Sequence, residues 1–381
     1  MNATACGIII ALTLSLAPLN GLAQPAPPPT LAHAVLDLEA AALTVAPSDH
    51  AFVDEIIAAV RAQAPATPTD RASAVAALAI VDKALVDRNI IYPGTGLIEY
   101  LHEGLTPRSL SASEFGKALR NIHNQRRQAV MLRNKAGPFR VLDCDTASFV
   151  YLSVAEALDW PLALVEIPQH NFVRWTFADG SHLNFETMDG VERSDPYYIA
   201  NWNIPATTMK PGFYMSIMGR DEVLGYVLGL RASAFAKTGE FAKAKLDLDE
   251  ALQNRPLSPT PLNSRAWLYA TCTPASCRDP ALAVQDATQA VTVYRSANYL
   301  DTLACALAIS GDIDRAIQIE TEALALDPGS TDLQANLKVI RTGGPCLYEQ
   351  PPAFRAAPFN RRMGNGSILF RRLDDGLSDG G

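Results

Sequence analysis

Two stretches in the C-terminal half carry matching residues at identical offsets. In GLRASAFAKTGEFAKAKLDLDEALQNRP these are Ala232, Phe235, Gly239, Ala244, Ala251 and Pro256. In ACALAISGDIDRAIQIETEALALDP they are Ala304, Leu307, Gly311, Ala316, Ala323 and Pro328. Between them, NSRAWLYATC…RDPALAVQDATQAV adds Ala283 and Ala290, again seven apart. Small residues suit the points where paired helices cross, a glycine suits the turn, and a proline ends the second helix. Such units bury a continuous face only by stacking on their neighbours. Residues 222–343 are therefore predicted to form an α-helical solenoid.

A chain of 381 residues has room for two or three domains. It is 48% apolar and 19% charged, a globular composition, and its net charge of −8 excludes nucleic acid as a partner. An apolar run, Gly7 to Leu19, is too short to span a bilayer and ends at Gly21-Leu22-Ala23, a small-x-small pattern suited to signal peptidase. Residues 1–23 read as a signal peptide, although no Lys or Arg precedes the run, and 24–30 as a proline-rich linker. The expected location is outside the cytoplasm, periplasmic or secreted in a bacterial cell, with no membrane span left after signal removal. Cys6 precedes the apolar run, which argues against a lipoprotein. Oxidation of the mature chain would pair Cys272 with Cys277 and, on weaker grounds, Cys305 with Cys346, leaving Cys144 free.

Residues 31–84 read as an N-terminal helical region, since HAFVDEIIAAVRAQ and DRASAVAALAIVDKALVDR place apolar residues at i, i+3, i+4 and i+7. SASEFGKALRNIHNQRRQAVMLRN opens with Ser111 and Glu114, a capping-box signal for a further helix. After Gly137 the pattern changes. CDTASFVYLSVAEALDW is helical from about Cys144, whereas LALVEIP, NFVRWTF and HLNFETM are strand-like, giving an α+β core over 85–215. The tail, 344–381, is rich in Pro, Gly and Arg without a period and reads as largely disordered, or as a strap over the last helix.

A thiol at a helix N-terminus beside an imidazolium is the standard way to make a cysteine nucleophilic, because both lower its pKa. Cys144 has the helix start, with Asp143 and Asp145 as opposing charges. Of six histidines, His170 opens the strand that follows the cysteine helix and the first strand. Gly180 in Phe177-Ala178-Asp179-Gly180-Ser181 suits the left-handed position of a three-residue hairpin loop. That loop pairs Phe177 with Ser181, Arg174 with Asn184 and Phe172 with Glu186. Glu186 then sits diagonal to His170 on one face, at ~7–8 Å between backbones. Asn184 is one step further away and is the alternate third member.

The run C…H-x-F-V-R-W…N-F-E-T-M-D-G…S-D-P-Y-Y resembles the transglutaminase-like superfamily, in particular bacterial members with C-terminal tetratricopeptide repeats, and the repeated helix pairs resemble that repeat. The likeness covers roughly residues 85 to 340. It implies a papain-like core with a Cys144-His170-Glu186 triad acting on peptide or carboxamide bonds. Hydrolysis is expected rather than cross-linking, since nothing marks an amine site. Leu142-Asp143 before the cysteine and glutamate as the acid depart from the usual family pattern. A peptide or protein would be the substrate, and a protein partner would dock in the repeat groove.

Other motifs are set aside. PGTGLIEYL lacks a third glycine and a preceding strand, LDLDEALQN lacks the glycine of a calcium loop, and Cys272 and Cys277 have no histidines at zinc spacing. No cofactor or metal is expected. The competing expectation is a catalytically silent envelope scaffold whose repeats do the work, with Cys144 a small buried hydrophobe.

Overall fold

The structure is a computed structural model that describes residues 28–64, 68–92, 100–111, 137–209, 213–273, 275–344 and 346. The expected signal peptide, the helix expected to open at Ser111 and the tail beyond 346 lie outside the described residues. The fold combines helices with an antiparallel sheet.

The first layer is helical: α1 (Leu31–Glu39), α2 (Pro47–Arg61), α3 (Arg71–Asp87) and the short α4 (Leu101–Leu105). Asp70 caps α3 by accepting from Ser73 N, and Glu39 caps α4 by accepting from the backbone N–H groups of Leu101 (2.6 Å) and His102 (2.9 Å). Strands β1 (Ile90–Ile91) and β2 (Arg140–Val141) pair in parallel just before α5 (Cys144–Ala157).

Next come β3 (Leu162–Ile167), β4 (His170–Thr176), β5 (His182–Glu186), β6 (Val191–Arg193), α6 (Asp195–Trp202) and β7 (Ile217–Met218). The sheet order is β6-β5-β4-β3-β7, antiparallel throughout. Side chains alternate between its faces. Leu164, Val173, Trp175, Leu183 and Phe185 share one core with α5 and with the apolar faces of α1 to α3. Val165, Ile167 and Phe172 point the other way, against Tyr198 of α6 and Tyr214. The residues read as a separate N-terminal region thus pack into the same core as the sheet.

Six longer helices and a closing one follow: α7 (Arg220–Lys237), α8 (Phe241–Asn254), α9 (Pro259–Thr271), α10 (Pro280–Val293), α11 (Ala297–Ser310), α12 (Ile313–Leu326) and α13 (Thr331–Arg341). Ala244, Ala266, Ala283, Ala290, Ala304, Ala316 and Ala323 are all fully buried, as expected where helix backbones approach closely. Gly239 and Gly311 turn between paired helices at φ of +80° and +92°, a conformation that a Cβ disfavours. Disulfides join Cys272 to Cys277 and Cys305 to Cys346, and Cys144 is the free cysteine among the described residues. No helix among the described residues is long and apolar enough to cross a membrane.

Helix α7 belongs to both halves. Val223 and Val227 pack in the core of the sheet and N-terminal helices, while Ala232 and Phe235 pack against α8 and α9. Ion pairs reinforce the junction, with Arg255 at the end of α8 meeting buried Glu166 of β3.

Candidate active site

Asp143 starts the site. Its Oδ1 accepts from Thr146 N (3.1 Å) and Thr146 Oγ1 (2.8 Å), while its own N–H donates to Thr146 Oγ1 (2.9 Å). This reciprocal cap satisfies orphan donors of the first turn and begins α5 at Cys144. The thiol therefore stands at the first position of a helix packed beneath the sheet.

His170 opens β4 on the opposite face from Val173 and Trp175. Its register comes from the hairpin: Gly180 adopts φ +82°, Phe177 N donates to Ser181 O (2.8 Å), and Arg174 lies opposite Asn184. The diagonal that follows brings Nε2 of His170 to 2.7 Å from Oε2 of Glu186, with both side chains buried. Glu186 is held further by Tyr198 Oη–H (3.3 Å to Oε2) and by the Met188 N–H (3.3 Å to Oε1). Trp202 stacks on the imidazole at a centroid distance of 4.9 Å and 14° between planes, shielding the His–Glu bond from water. With Nε2 engaged by Glu186, Nδ1 is the nitrogen available to a thiol.

Asn184, the alternate third member, is committed elsewhere. Its Oδ1 accepts from Arg174 Nε (2.7 Å) and its Nδ2 donates to Asp195 Oδ1 (2.7 Å). Arg174 also donates to Asp195 Oδ1 (2.8 Å), so it pairs with these residues and not with Glu186.

The thiol's surroundings depart from the expectation for a helix N-terminus. Burial pushes the Cys144 pKa well above its ordinary value, and the neighbouring Asp145 and Asp143 push it further. The Asn171 backbone N–H, one residue past His170, acts the other way by donating toward the sulfur, but it does not win. Asp145 is held close: Oδ1 accepts from Asn171 Nδ2 and from Cys144 Sγ (3.7 Å), and Oδ2 accepts from Tyr226 Oη of α7 (2.7 Å). Burial raises the pKa of Asp145 in spite of these bonds, and burial beside Asp145 raises that of Asp143 to about 7. Burial lowers the pKa of His170, but the Glu186 charge and hydrogen bond outweigh it, so the net shift is upward. The thiol thus favours its neutral form and the imidazole its protonated one. Among the described residues no hydrogen bond joins Sγ to the ring.

The structure brings His170 and Glu186 into contact and sets Cys144 at the same end of the sheet, against the start of β4. Sequence reasoning missed Asn171, Tyr198, Trp202 and Tyr226. Tyr198 lies in the quoted SDPYY run, which offered a signal. Trp202, at the far end of the same helix, and Tyr226, on α7, offered none. No group of three or more metal-ligating side chains occurs among the described residues. Compared with known proteins, the chain matches no family model, no curated protein and no solved structure.

Proposed function

We propose that this protein is an exported, transglutaminase-like thiol enzyme that hydrolyses peptide or carboxamide bonds. The observation that carries the reading is the buried 2.7 Å bond between His170 Nε2 and Glu186 Oε2, which leaves Nδ1 for the thiol at the start of α5. Sγ attacks the carbonyl carbon as its proton passes to His170, and the imidazolium then protonates the departing nitrogen as the C–N bond breaks. Water, activated by His170, cleaves the thioester, releasing the acid and restoring the thiol. Glu186 orients the ring and balances its charge. The Cys144 backbone N–H, at the first position of a helix, is the natural oxyanion donor. Because the thiol rests protonated, proton transfer accompanies attack instead of preceding it, and turnover begins only as His170 loses its proton, above its ordinary 6.5.

Two disulfides support an oxidising location. The stacked pairs α7–α8, α9–α10 and α11–α12, read as tetratricopeptide repeats, would offer a face to a protein or peptide. A second reading, a catalytically silent scaffold, is favoured by one observation: burial and two carboxyls keep Cys144 protonated. Iodoacetamide labelling of Cys144 across pH 6–10 separates the two. For an enzyme, His170→Ala slows labelling near neutral pH by tenfold or more, and Glu186→Gln lowers amide hydrolysis on the order of 100-fold. Labelling that is identical with and without His170 would select the scaffold.

A further inference from the structure

Each member of the proposed triad is followed in the chain by a polar residue: Asp145 after Cys144, Asn171 after His170 and Thr187 after Glu186. Neighbours on a strand point to opposite faces, so Asn171 turns away from the His170–Glu186 bond and towards α5. There the three followers meet.

Asn171 and Thr187 are buried, and between them lies Ser148, a fully buried residue one turn into α5. Asn171 Nδ2 donates to Asp145 Oδ1, while Asn171 Oδ1 accepts from Ser148 Oγ–H (3.0 Å). That bond spends the one hydroxyl hydrogen of Ser148, so Ser148 Oγ accepts from Thr187 Oγ1–H (3.3 Å). The donors therefore run one way, from Thr187 through Ser148 and Asn171 to the Asp145 carboxyl. Tyr226 of α7 closes the far end, its Oη–H donating to Asp145 Oδ2 (2.7 Å).

This run bears on the geometry of the site. Among the described residues no hydrogen bond joins Cys144 Sγ to His170, so their separation depends on how the start of β4 sits over the first turn of α5. Asn171 fixes that seat twice. Its backbone N–H donates toward Sγ, and its side chain bridges Asp145 and Ser148. Thr187 ties the chain leaving Glu186 to the same helix. Reacting groups must be held within about 0.5 Å of their productive positions, and side chains locked by surrounding hydrogen bonds are how proteins do so. A connected network also holds its members more firmly than isolated pairs do.

We propose that the run Thr187–Ser148–Asn171–Asp145 holds the triad in register, with Asn171 as the central positioning residue and Tyr226 as the anchor to the C-terminal helices. The inference rests on the reading of Cys144, His170 and Glu186 as a thiol enzyme. It adds how a thiol and an imidazole without a bond between them are kept within reach of each other. Asn171 takes no part in the chemistry through its amide, since both ends of that amide are engaged inside the run.

The test uses the full chain with its disulfides intact and reads iodoacetamide labelling of Cys144 by peptide mass spectrometry near neutral pH. In wild type, His170→Ala is expected to slow labelling about tenfold. In the Asn171→Ala background the same His170→Ala change should slow it by less than about twofold, because the two substitutions then break one geometry. Thr187→Val keeps the shape and removes the hydroxyl, so it should shrink the His170 effect as well. Thr187→Ser keeps the hydroxyl and should restore it. Melting temperatures report that each variant folds, and Thr187→Val decides if Asn171→Ala does not. A buried cluster serving stability alone would lower Tm in these variants yet leave the tenfold effect whole, which overturns the proposal while sparing the enzyme reading. Failure of Thr187→Ser to restore the effect also overturns it, since shape and not the hydroxyl would then matter. Wild-type labelling indifferent to His170 overturns the enzyme reading and this inference with it.

Discussion

At the scale of residues, the question is how a thiol flanked by two carboxyls can be made to react. Asp145 is the nearer control, since its Oδ1 lies 3.7 Å from Sγ and its charge is the largest influence after burial. Asp145→Asn removes that charge while leaving an amide able to meet Tyr226. The expected outcome is iodoacetamide labelling of Cys144 that sets in at lower pH than in wild type, measured as the labelling rate between pH 6 and 10. An unchanged profile would mean that burial alone controls the sulfur. The triad candidates were legible because a hairpin register is local and places His170 against Glu186 from five loop residues. The upward pull on the thiol was legible only in sign: Asp143 and Asp145 stand in the sequence, but how deeply Cys144 is buried does not. Tyr226 and Asp145 are far apart in sequence and meet only through tertiary packing, so no spacing rule finds them.

At the scale of elements, the β4–β5 hairpin does the most positioning. Gly180 has φ +82° and open space around it, so substitution there meets backbone strain and no clash. Gly180→Ala should destabilise by about 1–2 kcal/mol, the cost of a left-handed L-residue. Gly180→Asn should cost less, because Asn tolerates that conformation. Chemical denaturation measures both, and equal losses would argue against the conformational explanation. The order of strands and the helix before them were readable from periodicity and turn chemistry. The covering of the sheet's outer face by α6, with Trp202 over His170, was not, since a half-buried helix of eight residues has too few turns for a clear period. The helices from α7 onward were readable as helices, because alanines at a fixed spacing mark the side that packs on a neighbour.

At the scale of the whole molecule, several buried acids favour their neutral forms. Burial raises the pKa of Glu39 to about 7 and, with Asp145, that of Asp143 to about 7. A folded-state pKa above the unfolded value means that stability is greatest below the unfolded pKa and is lost as pH rises through the folded one. Raised His170 acts in the same direction. Thermal melts should therefore show a falling Tm between pH 5 and pH 8, with a loss on the order of a few kcal/mol at about 1.4 kcal/mol per pKa unit. A flat or rising Tm over that window would contradict this account. The sharing of α7 has a consequence for descent. A module that can be shuffled between proteins needs a boundary where few contacts cross. No such boundary exists at residue 219, because Val223, Val227 and Tyr226 complete one half while Ala232 and Phe235 begin the other. Any exchange of the C-terminal helices between proteins would have to spare α7 or carry its binding surface along.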